Sequence, residues 1–209
     1  MGSDGFCRES TTVGSCCMSD PIFHADWFSK NIPIWDKYLG HLKGREYVNA
    51  LEIGCWEGRS TVWTLQNVLT DPTSHITVID PFLGNPENKV EGYERSVQDT
   101  FEGNIKAIGA ENKLTLLTVK SHDGLKYLHN NHFDFIYLDG SHVTTDVLRD
   151  LVLLWPLLKH GGVIVMDDYE YKVPDMGACP GEAIDAFGRI FRKEYYELHR
   201  GWQMVWRKI

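Results

Sequence analysis

Several features that would assign the chain to other protein classes are absent from its sequence. No GxGxxG fingerprint follows a strand-like run, so a dinucleotide cofactor such as NAD is disfavoured. The chain has 21 basic and 29 acidic residues, a net charge of -8 and no basic stripe, which disfavours a nucleic-acid partner. Residues 1–19 are small and polar, without a charged start followed by an apolar stretch. We therefore expect no secretory signal, no membrane-spanning segment and no membrane partner.

Cysteine is scarce and irregularly spaced. The five cysteines are Cys7, Cys16, Cys17, Cys55 and Cys179, an odd number without a CxxC pair. A disulfide framework would need an even, regularly spaced set, so we interpret these residues as free thiols in a reducing compartment. We expect a cytoplasmic protein whose residues 1–19 form a flexible N-terminal tail.

No internal repeat or low-complexity linker divides the chain. Its 209 residues are 43% hydrophobic, which suits one α/β domain with a full core. We expect a single domain over residues 20–209. Bulky apolar residues over 20–44 predict a helical cap that Pro33 divides into two pieces.

Apolar strand-like runs alternate with segments that are long enough for a helix. The predicted strands cover residues 48–54, 75–82, 114–119, 133–139, 162–168, 195–199 and 202–208. The predicted helices cover 59–69, about 94–108, 123–130, 144–158 and 181–193. This alternation is typical of a parallel sheet covered on both faces. The last two strands are joined so tightly that they must be antiparallel.

The first strand leads through a two-glycine turn into a helix. Gly54 and Gly58 enclose the turn, and the helix begins at Arg59. Backbone N–H groups in such a crevice can face a nucleotide cofactor, with Glu52 at its lip. Trp56 within the turn would crowd a pyrophosphate, which again argues against NAD.

Carboxylates follow the fourth and fifth strands. Asp139 ends the fourth strand, and Asp167 and Asp168 end the fifth. Neighbouring strands lie about 4.8 Å apart, so their ends would bring these three anions together. All-oxygen ligands suit Mg²⁺, Mn²⁺ or Ca²⁺. In the alternative interpretation, Asp167 and Asp168 only solvate the strand end while Asp139 contacts the cofactor.

Four segments together resemble a known family. They are EIGCWEGRSTVW, ITVIDPF, FDFIYLDGSH and VIVMDDY, in this order along the chain. The chain resembles small bacterial-type S-adenosylmethionine-dependent methyltransferases related to macrocin-type O-methyltransferases, and more distantly catechol O-methyltransferase. The resemblance implies a Rossmann-like class I methyltransferase fold, α/β, with a seven-stranded, mostly parallel sheet and an antiparallel C-terminal hairpin strand. It also implies S-adenosylmethionine as cofactor, often with a divalent cation.

The resemblance implies roles for individual residues at the cofactor. Asp80, at the end of the second strand, is expected to accept both ribose hydroxyls, unless it only caps the following turn. Glu52 and Gly54 are expected at the amino acid part. Ser60 would donate to the cofactor carboxylate or serve as a plain helix N-cap. Trp56 would cover the sulfonium or form a core or substrate wall.

Further roles follow from catechol O-methyltransferase. Ser121 and His122 match its adenine-binding segment in position, whereas Asp123 is expected to be a helix N-cap. His142 stands where that enzyme has its catalytic lysine, and Asp168 where it has Asn. His142 or Asp139 would therefore take the proton from the acceptor, although His142 could equally donate a hydrogen bond at a helix N-terminus.

These expectations combine into one function with alternatives. We expect divalent-metal-assisted O-methylation of a small hydroxylated metabolite, with lids over 84–98 and 169–181. The alternatives are a cofactor-binding module without turnover, a metal-independent N-methyltransferase and an NAD-dependent dehydrogenase, against which the missing GxGxxG fingerprint argues. Aromatic residues of the helical cap could also pack across a homodimer.

Overall fold

The computed structural model describes residues 19–84 and 93–209, and for 93–96 the backbone alone. The tail predicted over 1–19 lies almost wholly outside the described residues, together with Cys7, Cys16 and Cys17. Part of the lid predicted over 84–98 lies outside them as well.

A seven-stranded sheet forms the centre of the molecule, as predicted. Its strands are β1 Asn49–Ile53, β2 His75–Ile79, β3 Leu114–Leu117, β4 Phe133–Leu138, β5 Leu158–Met166, β6 Tyr195–His199 and β7 Met204–Lys208. The order is β3-β2-β1-β4-β5-β7-β6, and the first five strands are mutually parallel. The strand β7 runs antiparallel to both of its neighbours. Because β1 and β4 are central, the apolar side chains on both of their faces are buried.

Six α-helices connect or flank the strands of the described chain. They are α1 Ile32–Leu39, α2 Arg59–Asn67, α3 Tyr93–Ala107, α4 Ser121–Gly124, α5 Thr144–Leu154 and α6 Pro180–Ile190. No helix among the described residues is long and apolar enough to cross a membrane.

Three helix predictions were wrong in extent, and the simplest case is the helix predicted over 181–193, which ends at Ile190. The helix predicted over 144–158 ends at Leu154, since Leu158 already pairs with Phe133 as part of β5. Pro156 cannot continue the helix, and the ammonium group of Lys208 donates to the carbonyls of Trp155 and Leu158 at 2.7 and 2.9 Å just beyond its end. The helix predicted over 123–130 is the short α4 followed by a 3-10 turn, Leu125–Tyr127.

The helical cap packs on the sheet through Trp35. Pro33 lies in the first turn of α1, where a missing N–H costs no hydrogen bond. A 3-10 helix, Ser29–Asn31, ends just before α1, so the cap is divided next to Pro33 as predicted. Trp35 is 1% exposed, and its ring lies edge-on to Phe135 and Tyr137 at 5.2 and 4.7 Å. The cap thus covers one face of β4, while Ile136 and Leu138 pack against the other layer of helices.

Candidate active site

A cavity of about 970 Å³ opens at the carboxyl ends of β1, β2, β4 and β5. Ten of the predicted site residues line it: Gly54, Trp56, Ser60, Asp80, Ser121, His122, Asp139, His142, Asp167 and Asp168. Glu52 and Gly58 do not. The volume lies at the upper end of the range for small-molecule sites, which leaves room for two ligands side by side.

The two glycines shape the turn between β1 and α2. Gly54 has a φ of 80°, and a Cβ atom there would lie 2.1 Å from the carbonyl oxygen of Asp139. Gly58, at φ 81°, is the N-cap of α2, and a Cβ atom there would lie 2.7 Å from the ring of Phe101. Both positions require glycine because of backbone conformation and close packing.

Glu52 lies behind the cavity wall rather than at its lip. Its carboxylate accepts hydrogen bonds from the hydroxyls of Ser60 and Thr61, the latter at 2.6 Å. Burial raises the pKa of Glu52 to about 7, although the two hydroxyls oppose this. The arrangement fastens α2 to β1. The alternative that Ser60 is a plain N-cap was wrong, since Gly58 occupies that position.

Asp80 holds the glycine turn. Its Oδ2 accepts the backbone N–H groups of Cys55 and Trp56 at 2.8 and 3.2 Å, and its Oδ1 accepts that of Phe82 at 2.7 Å. A carboxylate has about four lone-pair positions, so three amides use most of its capacity. A two-oxygen contact with ribose stays a prediction, and it requires at least one of these bonds to yield.

The segment after β3 is held by a residue that the sequence analysis missed. The hydroxyl of Ser121 donates to Oδ1 of Asp150 at 2.8 Å. Asp150 is 2% exposed, and burial raises its pKa to about 6. It lies within the apolar stripe of α5, among Val147, Leu151 and Leu154. A carboxylate at such a position was the available sequence signal.

His122 also lines the cavity, whereas Asp123 is not the helix N-cap that the sequence suggested. The N-cap of α4 is Lys120, and Asp123 instead accepts a hydrogen bond from Lys126 at 3.0 Å.

The hydroxyl of Tyr137 joins two carboxyl groups at the ends of β4 and β5. It lies 2.8 Å from Oδ2 of Asp139 and 2.5 Å from Oδ2 of Asp167. Burial, followed by repulsion from neighbouring carboxylates, raises the pKa of both aspartates. The hydroxyl has one proton to donate, so it can form a full hydrogen bond with only one of the two carboxyl groups at a time.

Asp167 is further fixed by a chain of buried amide contacts. The side-chain N–H of Gln203 donates to Oδ2 of Asp167 at 2.7 Å, and the indole of Trp35 donates to the Gln203 carbonyl at 3.0 Å. Oδ1 of Asp167 accepts the backbone N–H of Asp168 at 2.8 Å. Both oxygens of Asp167 are therefore engaged within the protein.

The best-placed metal-binding group in the described chain differs from the predicted trio by one residue. Asp139, His142 and Asp168 each offer a ligand atom, and these atoms lie within 4.8 Å of one another. Nε2 of His142 is 2.9 Å from Oδ2 of Asp168. His142 thus approaches the carboxylates directly, while Asp167 adjoins them as a buried neighbour.

Aromatic and basic side chains surround the mouth of the cavity. Trp27, 59% exposed, lies on Trp56 with ring centroids 5.2 Å apart. The ammonium of Lys30 lies 4.8 Å from the ring of Trp202. Such rings can hold flat or ring-shaped ligands and shield a reacting centre from water.

Known proteins resemble this chain in both sequence and fold. A family model described as a methyltransferase domain matches residues 51–169. The rhamnosyl O-methyltransferase of Mycobacterium bovis is 24% identical over 192 residues, which are 81% of this chain and 73% of that protein. The rhamnosyl O-methyltransferase of Mycobacterium leprae is 38% identical over 65 residues, 29% of this chain and 28% of that protein.

A solved structure shares the fold. It is that of the O-methyltransferase TomG from Streptomyces achromogenes in complex with S-adenosylmethionine. The TM-score is 0.59 at 16% identity, over 84% of this chain and 79% of that one. Together with the family model, which covers more than half of the chain, these findings show that the chain belongs to the methyltransferase domain family, among the class I S-adenosylmethionine-dependent methyltransferases.

Proposed function

We propose that the protein transfers the methyl group of S-adenosylmethionine to a hydroxyl oxygen of a small acceptor, with a divalent cation at the carboxylate end of the cavity. The observation that carries this proposal is the convergence of Asp139, His142 and Asp168 beside the glycine turn, within one cavity.

The donor set fits a hard cation. The carboxylates of Asp139 and Asp168 are ligands of the kind that Mg²⁺ or Mn²⁺ prefers, and the imidazole of His142 is acceptable to Mn²⁺. The carboxyl group of Asp167 adjoins them. Three anions in a buried position repel one another, and a positive charge between them would relieve that cost. Asp139 and Asp168 would hold the ion, together with His142 or Asp167. When bound, a divalent cation lowers the pKa of a hydroxyl group.

His142 is placed to take the acceptor proton. In the tautomer whose Nε2–H donates to Oδ2 of Asp168, the lone pair is on Nδ1, and that atom can accept a proton from a hydroxyl. The ring of Tyr171 lies 4.7 Å from that of His142 and restricts its orientation. Asp139 is the other base that the sequence predicted, and it would be available for that role only where it does not hold the cation.

The cofactor would lie along the glycine turn. Gly54 would line its path, Trp56 would offer an aromatic face to the sulfonium, and Asp80 would lie at the ribose end. Methyl transfer needs the acceptor oxygen about 3 Å from the methyl carbon and water kept out. Trp27 and Trp202 are placed to exclude water at the mouth.

The first acceptors to test are glycosyl hydroxyls, because two relatives are named rhamnosyl O-methyltransferases. Catechols provide a second set. Product formation from S-adenosylmethionine should be measured with each acceptor, with and without a chelator. Cofactor binding without turnover on any acceptor would favour the binding-module alternative. Full methyl transfer to an amine acceptor in the presence of the chelator would favour a metal-independent N-methyltransferase.

The metal assignment is tested by calorimetry with Mn²⁺. Asp168→Asn should weaken Mn²⁺ binding strongly, since it removes a charged ligand. Mn²⁺ titrations of His142→Ala and Asp167→Asn then show whether His142 or Asp167 is the third ligand beside Asp139 and Asp168. Asp36→Asn, on the exposed face of α1, is the control. Unchanged Mn²⁺ affinity in Asp168→Asn and in an Asp139→Asn variant would refute the assignment.

Other expectations from the sequence stay predictions. They are a single domain over residues 20–209 with a helical cap over 20–44, a homodimer and a cytoplasmic location.

A further inference from the structure

Asp150 is a buried carboxyl group that the proposed chemistry leaves unused. It is 2% exposed and still lines the cavity, on the face of α5 that also carries Asp146 and Arg149. Its Oδ1 accepts the hydroxyl of Ser121. Among the described residues, no group donates a hydrogen bond to its Oδ2.

The cavity leaves this oxygen accessible to a ligand. Asp150 as a residue is 2% exposed, so solvent hydrates its carboxyl group poorly. A ligand that donates an N–H to Oδ2 would compensate for this poor hydration. Asp150 is bonded to Ser121, and His122 lines the same cavity; these two residues are where the sequence predicted the adenine ring.

The adenine of S-adenosylmethionine carries an N–H donor that could bond to Oδ2 of Asp150. Its exocyclic amino group has two N–H donors, while the ring nitrogens are acceptors. The ribose hydroxyls, the other donors of the nucleoside, already have a predicted partner in Asp80 at the end of β2. Asp150 on α5 is therefore the complement of the amino group.

We propose that Asp150 is a specificity-determining residue: its Oδ2 accepts a hydrogen bond from the exocyclic amino group of adenine, while Ser121 donates to its Oδ1. This inference rests on S-adenosylmethionine being the cofactor, as in the proposed function. The contact selects aminopurine over oxopurine, because an oxo group would place a second acceptor against the carboxylate. Ser121 is a positioning residue that keeps the carboxyl group turned toward the cavity.

The test compares two product-like ligands that cannot be turned over. They are S-adenosylhomocysteine and its deaminated counterpart S-inosylhomocysteine, titrated calorimetrically into the full chain. The wild type should prefer the adenosyl ligand by roughly 10- to 100-fold, as expected for a hydrogen bond to a charged group. In Asp150→Asn the amide can donate to the oxo group, so the preference should fall toward unity.

Asp146→Asn is the matched control, because Asp146 lies on the same helix and lines the same cavity. It should leave the preference unchanged. Thermal unfolding of each variant checks that it is folded, and Ser121→Ala should reduce the preference less than Asp150→Asn does.

The outcomes separate this inference from the proposed function. If Asp150→Asn weakens both ligands equally and leaves their ratio intact, Asp150 only supports the loop, and the inference is overturned. Equal affinity of the wild type for both ligands would overturn it as well, with cofactor binding intact. If neither ligand binds the wild type, the proposed cofactor itself is refuted.

Discussion

Replacing Glu52 with glutamine should make the protein more stable at alkaline pH. Glu52 is fully buried behind the cavity, and its oxygens accept the hydroxyls of Ser60 and Thr61. Glutamine has the same shape. Its carbonyl can accept one hydroxyl, and the other hydroxyl can rotate to accept from its amide. The variant therefore keeps the contacts and removes the cost of burying a charge.

The magnitude follows from the pKa of Glu52. Burial raises this pKa from 4.5 to about 7 in the folded protein, so the folded state binds the proton more tightly than the unfolded state. The contribution of protonated Glu52 to the free energy of unfolding is fully present below pH 4.5 and is lost as the pH rises through 7. At 1.36 kcal/mol per pKa unit, the loss between pH 5 and pH 8 is about 2.5 kcal/mol.

The assay is urea unfolding of the wild type and the Glu52→Gln variant from pH 5 to pH 8. The difference in unfolding free energy should shift by about 2.5 kcal/mol in favour of the variant over that range. Glu111→Gln, at an exposed position, is the control and should give a flat difference. If the unfolding free energies of Glu52→Gln and the wild type changed in parallel with pH, the reasoning would be refuted, since Glu52 would then have the same pKa in the folded and unfolded states.

Three further variants test the site. Gly54→Ala places a methyl group against the carbonyl of Asp139 at a positive φ, so it should cost about 2 kcal/mol or more and abolish binding of S-adenosylhomocysteine; an unchanged urea midpoint would contradict this. Gln203→Leu removes a donor from Asp167 and should weaken Mn²⁺ binding about 10- to 100-fold by calorimetry; unaltered affinity would show that the contact is not needed for the metal. His142→Ala should lower kcat about 100-fold or more at saturating Mg²⁺, with cofactor affinity retained; a normal kcat would exclude it as the base.

The sequence was sufficient to predict the parallel strands and the antiparallel hairpin. Apolar runs of strand length, separated by helical segments, specify such a sheet through local periodicity and connection length. The turn at Gly54 and Gly58 was also legible, because glycine there reflects a backbone conformation that few other residues adopt. Asp139, Asp167 and Asp168 were located because they directly follow strands whose ends share one edge.

Helix ends were less predictable. The helix predicted over 144–158 ran through Pro156, a local stop signal that the apolar periodicity obscured. The structure beyond this stop depends on Lys208 and on the pairing of Leu158 with Phe133. These partners come from distant parts of the chain, so periodicity alone could not reveal them.

Only the tertiary structure decided which side chains of the site meet. Trp35 and Gln203 are 168 residues apart in sequence, yet their contact orients the amide that fixes Asp167. The position of Asp150 in the apolar stripe of α5 marks it as unusual, but only packing makes it a buried acceptor beside Ser121. Local patterns specify elements because their causes lie within a few residues. The direction, protonation and partners of a buried polar group depend on neighbours from the whole chain, which only the fold brings together.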